Sequence, residues 1–110
     1  MNNDELLSKL YELGRLPSAD DDIMDDYPLD EFDHLLKQIS TPVTPAQALR
    51  LINLSPPANT GCFGVEWALV HLVETISIDN LQNLLKQAIE SEAKRLLQIR
   101  LENYKNNNFS

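Results

Sequence analysis

The sequence predicts an all-α fold, a single domain of six or seven helices in a compact antiparallel array, and three observations carry that prediction. Apolar residues recur at i, i+3, i+4 and i+7 through most of the 110-residue chain, the spacing of a helix with one buried stripe. Glycine occurs only 3 times, and Leu, Gln, Lys, Glu and Ala fill the periodic segments while β-branched and aromatic runs are few. Capping patterns, Ser or Thr followed three residues on by an acid or Gln, punctuate the periodic stretches.

Taken in order, the first helix is expected from about Asn3 to Leu13, where Leu6, Leu7, Leu10, Tyr11 and Leu13 share helical spacing and Gly14 supplies the stop. Ser18 and Asp21 match the capping pattern, so a short helix is expected between Ser18 and Asp26. Leu29, Phe32, Leu35, Leu36 and Ile39 predict a helix over Pro28 to Ile39, with Pro28 in the first turn. Thr44-Pro45-Ala46-Gln47 combines a threonine cap, a proline at the first helical position and the reciprocal glutamine. It opens a helix through Leu49 and Ile52, which Pro56-Pro57 ends. Phe63 to Ile76 reads as the most apolar helix and the centre of the domain. Asp79 with Gln82 repeats the capping pattern ahead of a stripe running from Leu81 through Leu84, Leu85, Ala88, Ile89, Ala93, Leu96, Leu97 and Leu101 to Tyr104. Glu90-Ser91-Glu92 can divide that stripe into two helices, and Asn106 to Ser110 is expected to fray.

Composition narrows the function classes. Hydrophobic residues at 43% and charged residues at 24% are ordinary for a folded globular chain. The longest apolar stretch, Val65 to Val73, is interrupted by Glu66 and His71 and is far shorter than the roughly 20 residues that span a bilayer. The start, Met1-Asn2-Asn3-Asp4-Glu5, lacks the basic and apolar regions of a signal peptide, and the lone Cys62 has no disulfide partner in the chain, so a cytoplasmic address is expected. A net charge of -8 repels phosphate backbones and anionic lipid, which argues against direct nucleic-acid or membrane binding and toward a basic protein partner met by a chain monomeric when free. That charge is uneven. Between Leu16 and Leu85 only Lys37 and Arg50 are basic, against eleven acids, whereas five of the nine basic residues follow Leu85.

The densest charge is the run Asp20, Asp21, Asp22, Asp25, Asp26, Asp30, Glu31 and Asp33, eight of the 17 acids within fourteen positions. Mutual repulsion among these carboxylates is relieved when a basic surface covers them, although a solvated loop and helix face would read the same way. Tyr27, amid the acids, is the candidate interface anchor, while Ile23, Met24 and Phe32 can serve core or partner. A calcium loop is not encoded, since no register supplies acids at positions 1, 3 and 5 with glycine at 6 and glutamate at 12.

On the Phe63 to Ile76 helix, Val65, Ala68, Leu69, Leu72, Val73 and Ile76 form the expected core arc. The opposite arc carries Phe63, Glu66, Trp67, Val70, His71 and Glu74 with no basic residue. Aromatic area beside carboxylates suits the capture of a basic protein, and the same residues also suit a second core layer. His71 and Glu74 have the spacing of a carboxylate-bridged metal motif, but no second such motif exists, so neither metal nor cofactor is expected. Cys62 with His71 is the conceivable nucleophile and base, yet no cation near Cys62 would lower its thiol pKa, and no enzyme is expected.

Leu54-Ser55-Pro56-Pro57, followed by Gly61-Cys62-Phe63-Gly64-Val65-Glu66-Trp67-Ala68-Leu69-Val70-His71-Leu72-Val73-Glu74, resembles a segment of small all-helical bacterial immunity proteins. Such proteins accompany contact-dependent growth inhibition and polymorphic toxin systems. Arg95-Leu96-Leu97-Gln98-Ile99-Arg100-Leu101-Glu102-Asn103 is similar to their closing helix. The resemblance implies a HEAT-like fold and stoichiometric binding to the C-terminal domain of a cognate toxin, often a nuclease. The charge reading agrees independently, because a nuclease carries cations for phosphate that an acidic protein can occupy. The rival expectation is an acidic adaptor or nucleic-acid mimic that sequesters a cellular nucleic-acid-binding protein.

Overall fold

The structure, a computed structural model, describes residues 1–108. Six α-helices follow in order: α1 (Asn3–Leu13), α2 (Leu29–Leu36), α3 (Pro45–Ile52), α4 (Val65–Val73), α5 (Ile78–Gln87) and α6 (Glu92–Asn108). A 3-10 turn, Asp22–Asp26, separates α1 from α2, and no strand occurs among the described residues. The fold is thus the all-α, six-helix array that the periodicity predicts.

Local chemistry sets most boundaries. The Asn2 side chain accepts from the Glu5 amide at 2.8 Å to start α1, and Gly14 ends it at φ 93°, a conformation that L side chains rarely adopt. At α3 the capping box is complete: Thr44 Oγ1 accepts from the Gln47 amide at 3.2 Å, and Gln47 Oε1 accepts from the Thr44 amide at 3.0 Å.

Helices α3 and α4 hold the centre. Helix α3 packs on α1, α4 and α5, while α4 adds α2 and α6, in an array measuring 47 × 32 × 20 Å. Leu6, Leu7, Leu10, Leu51, Ile52, Leu69, Val70 and Val73 are completely buried there. Each such side chain contributes about 1.5–3 kcal/mol through burial, more than an exposed, solvent-screened ion pair such as Lys37–Asp33, so the apolar stripes set the architecture.

The second half is bolted together at the start of α6. The Glu92 amide donates to Pro56 O at 2.9 Å, the Ala93 amide to Ser55 Oγ at 2.8 Å, and the Lys94 amide to Ser91 Oγ at 3.2 Å. All are N–H groups that a helix start leaves without an internal partner. Arg15 adds Nε to Ser55 O at 2.6 Å and Nη2 to Glu90 O at 3.1 Å, joining the end of α1 to the same junction.

Several expected boundaries are corrected. Ser18 does not cap the short segment: its Oγ accepts from the Asp20 amide, while Asp21 caps a 3-10 turn by accepting from the Ile23 amide at 3.1 Å. Pro28 precedes α2 as its cap, and α2 ends at Leu36, although Ile39 still reaches the core. The central helix is shorter at both ends than Phe63 to Ile76. Phe63 at φ 53° and Gly64 at φ 86° form a left-handed entry that no helix accommodates. At the exit, Thr75 Oγ1 donates to Leu72 O at 2.7 Å and accepts from the Val43 amide at 3.1 Å, and Ser77 then caps α5 in place of Asp79. The stripe after Asp79 does break at residues 88–91, which leaves Ile89 exposed. Of the tail expected to fray, Asn106–Asn108 continue α6 and the remainder lies outside the described residues.

Candidate functional site

The acidic run is displayed. Asp20, Asp21, Asp22, Asp25, Asp26, Asp30 and Glu31 are all exposed, and none of them joins an ion pair among the described residues. Asp22, Asp25 and Asp26 stay open because the 3-10 turn that carries them buries no side chain. Asp33 differs: it is only partly exposed and holds Lys37 Nζ at 2.9 Å.

Tyr27, the candidate anchor, is half-buried and engaged within its own chain. Its hydroxyl donates to Gly14 O at 2.6 Å and its ring packs on Phe32 at a centroid distance of 6.3 Å, so it straps the acidic segment to the end of α1. Burial, the larger cause, and the nearby Cys62 push its hydroxyl pKa well above the ordinary value of 10.0. The exposed apolar residue of the segment is instead Ile23, 59% accessible, while Met24 packs on the core and Phe32 is fully buried within it.

The outer arc of α4 divides. Glu66 and Val70 turn inward, contrary to the expected face, whereas Trp67 and His71 stay exposed and Glu74 partly so. Glu66 is buried because its carboxylate accepts from the Cys62 amide at 2.9 Å and thereby holds the loop that enters α4. That loop projects Phe63, the most exposed large apolar side chain among the described residues at 73%.

Trp67, His71 and Glu74 form a ridge, with the Trp67 and His71 rings 6.2 Å apart and His71 Nδ1 3.8 Å from Glu74. A cation also reaches it. Arg100 of α6 donates to Glu74 at 2.6 Å and lies 5.9 Å from the Trp67 ring, a pairing 26 residues apart that helical spacing gives no means of reading.

Packing of α2 on α4 brings the two predicted surfaces together. A cleft of about 280 Å³ between them is lined by Asp30 and Asp33 on one side and by Phe63, Val65 and Ala68 on the other. It continues past Asp33 and Ala68 into a second hollow of about 360 Å³ that reaches Lys37 and His71. The amide of Ala19 donates to Gly61 O at 2.8 Å and ties the start of the acidic segment to the Phe63 loop. The acidic run, exposed Phe63 and Trp67 and the two adjoining hollows are thus carried by elements that pack on one another.

Cys62 and His71 remain apart in character. Cys62 is fully buried with its sulfur 3.9 Å from Met24 Sδ, and burial, then Glu66, pushes its thiol up to about 11. His71 is exposed and lies six residues, about 9 Å along the axis, beyond the start of α4. No group of three or more His, Cys, Asp or Glu that could hold a metal ion occurs among the described residues, and no helix there is long and apolar enough to cross a membrane.

The described residues form an acidic, all-helical domain that exposes a run of carboxylates together with Ile23 and Phe63. No protein-family model, curated protein or solved structure matches the chain.

Proposed function

We propose that this chain is an immunity protein that binds a cognate toxin domain, a basic nuclease of the RNase type, and neutralises it by covering its active site with the acidic face. The observation that carries the reading is the exposure of Asp20, Asp21, Asp22, Asp25, Asp26, Asp30 and Glu31 without internal cations, beside Ile23 and Phe63. Carboxylates left unopposed steer a cationic partner during encounter, and the exposed apolar side chains supply area that holds once water is expelled. Trp67, His71 and Glu74 extend that contact. Asp33 is half-neutralised by Lys37 and belongs to the rim, while Glu66 and Tyr27 position the surface from behind.

Such a protein acts in the cytoplasm, where the nuclease finds its RNA, and needs no chemistry of its own. The raised thiol pKa of Cys62 supports this, because little thiolate exists at neutral pH to act as a nucleophile.

The test is calorimetric titration and nuclease assay with the toxin domain encoded immediately upstream, at two salt concentrations. Tight one-to-one binding that weakens with salt and silences the nuclease supports the reading. Absence of binding to that neighbour turns the same face toward a cellular nucleic-acid-binding protein, the adaptor alternative.

A further inference from the structure

The molecule has a second charged surface, rich in cations, on α5 and α6. A groove of about 700 Å³ separates α5 from α6, with Leu85 and Lys86 on one wall and Lys94, Arg95, Ile99 and Lys105 on the other. Four of the nine basic residues of a chain with net charge -8 thus share one groove. Two are already engaged: Lys94 Nζ donates to Ala88 O at 3.0 Å and to Glu90 at 2.9 Å, and Arg95 grips Glu92 through two hydrogen bonds of 2.7 and 2.6 Å. Lys86 and Lys105 are exposed and make no ion pair or hydrogen bond among the described residues, and Ile99 between them is 46% accessible. Glu102 also lines the groove and lowers its positive field without cancelling it.

The geometry points to a head-to-tail contact between two copies of this chain, in which the acidic turn Asp22–Asp26 of one copy docks in the basic α5–α6 groove of the next. The occupant is supplied by the molecule itself. Asp22, Asp25 and Asp26 surround exposed Ile23 on a short protruding turn, and the groove offers Lys86 and Lys105 around exposed Ile99. The charges are of opposite sign, and each surface also exposes one isoleucine. Within one copy the turn Asp22–Asp26 does not line the α5–α6 groove. Each copy therefore offers one donor surface and one acceptor surface, a heterologous contact that extends from copy to copy.

The overall negative charge opposes association, but at about 0.15 M salt the Debye length is about 8 Å, far shorter than the 47 Å long axis. Distant acids are screened while pairs in contact are not. The free chain, monomeric when dilute, then associates weakly at high concentration. This contact does not rest on the immunity reading, although any basic partner on the acidic turn would displace the second copy.

Sedimentation equilibrium of the full chain from about 10 µM to about 1 mM is the test, with a dissociation constant expected inside that window. Lys86→Glu with Lys105→Glu, and separately Asp25→Lys with Asp26→Lys, are each expected to remain monomeric, because like charges then meet at the contact. Mixed in equal amounts, the two variants are expected to associate again, since acid faces base at every junction. Should either pair unfold by circular dichroism, the charge-neutral Lys86→Gln with Lys105→Gln and Asp25→Asn with Asp26→Asn replace them, each weakening self-association at least tenfold. A wild-type chain that stays monomeric throughout the window overturns the contact, as does a mixture of folded reversed variants that fails to associate.

Discussion

Two stretches of this chain look alike on paper, both polar, proline-bearing and without a periodic apolar stripe, yet they are opposites in the folded molecule. At residues 54–61 and 89–92 nearly every polar group is consumed internally: Ser55 caps Ala93, Glu92 holds Arg95 and the Asn59 amide, and Arg15 closes the junction. At residues 17–28 the carboxylates face solvent, and Tyr27, Met24 and the Ala19 amide supply the attachment to the rest. Polarity alone does not mark a surface for binding. What separates the two regions is whether the fold provides partners, because a polar group spent on a helix end is unavailable to another protein and one left in water is free to find a cation.

The widest separation between the regions should come from Ser55→Ala. The hydroxyl is buried and accepts from the Ala93 amide, so its loss leaves a helix N–H without a partner and costs about 1–3 kcal/mol. Urea unfolding reads this as a lower midpoint at unchanged slope, while association with a basic partner stays as it was. A loss below a few tenths of a kcal/mol would mean that the junction is not the clamp described.

The converse experiment reverses charge at Asp25, Asp26 and Glu31. Stopped-flow association with a basic toxin domain is expected to slow about tenfold at low salt and to lose much of its salt dependence. Stability should stay within about 0.5 kcal/mol of wild type, because these side chains touch nothing that packs. Unchanged association kinetics would remove the acidic turn from the binding face.

A pH series sharpens the contrast further. The Arg95 hydrogen bonds, opposed in part by burial and aided by the Asn59 amide, hold the Glu92 carboxyl below its ordinary value of 4.5. The folded state therefore prefers the charged form. That stabilisation is complete above pH 4.5 and is lost as pH falls through the lowered folded value. Glu92→Gln should thus lower the urea midpoint more at pH 7 than at a pH below the lowered folded value, where both chains carry a neutral side chain.

These comparisons also explain what was legible in the sequence. The helices and the Thr44 capping box were readable because both depend on neighbours within four residues. The exposure of Asp20 to Glu31 was readable from charge density. Phe63 reads as helical because Gly64 gives no local sign of a left-handed entry, and Glu66 reads as surface because its partner, the Cys62 amide, is a backbone group with no signature. Arg100 on Glu74 and the α5–α6 groove arise from packing across 26 residues and across two helices, beyond the reach of any local pattern.

The smallest expected effect is Tyr27→Phe, which asks whether this residue serves its own chain or a partner. As a strap, Tyr27 loses one hydrogen bond to Gly14 O and keeps its packing on Phe32, a cost of about 0.5–1.5 kcal/mol. Burial raises the hydroxyl pKa above 10.0, so the folded chain favours the neutral phenol. Its contribution is complete below pH 10 and fades as pH rises through the raised folded value. Tyr27→Phe should flatten that alkaline loss in urea unfolding while leaving the affinity for a basic partner unchanged. An affinity loss larger than the stability loss would return Tyr27 to the interface and make the acidic segment its own anchor.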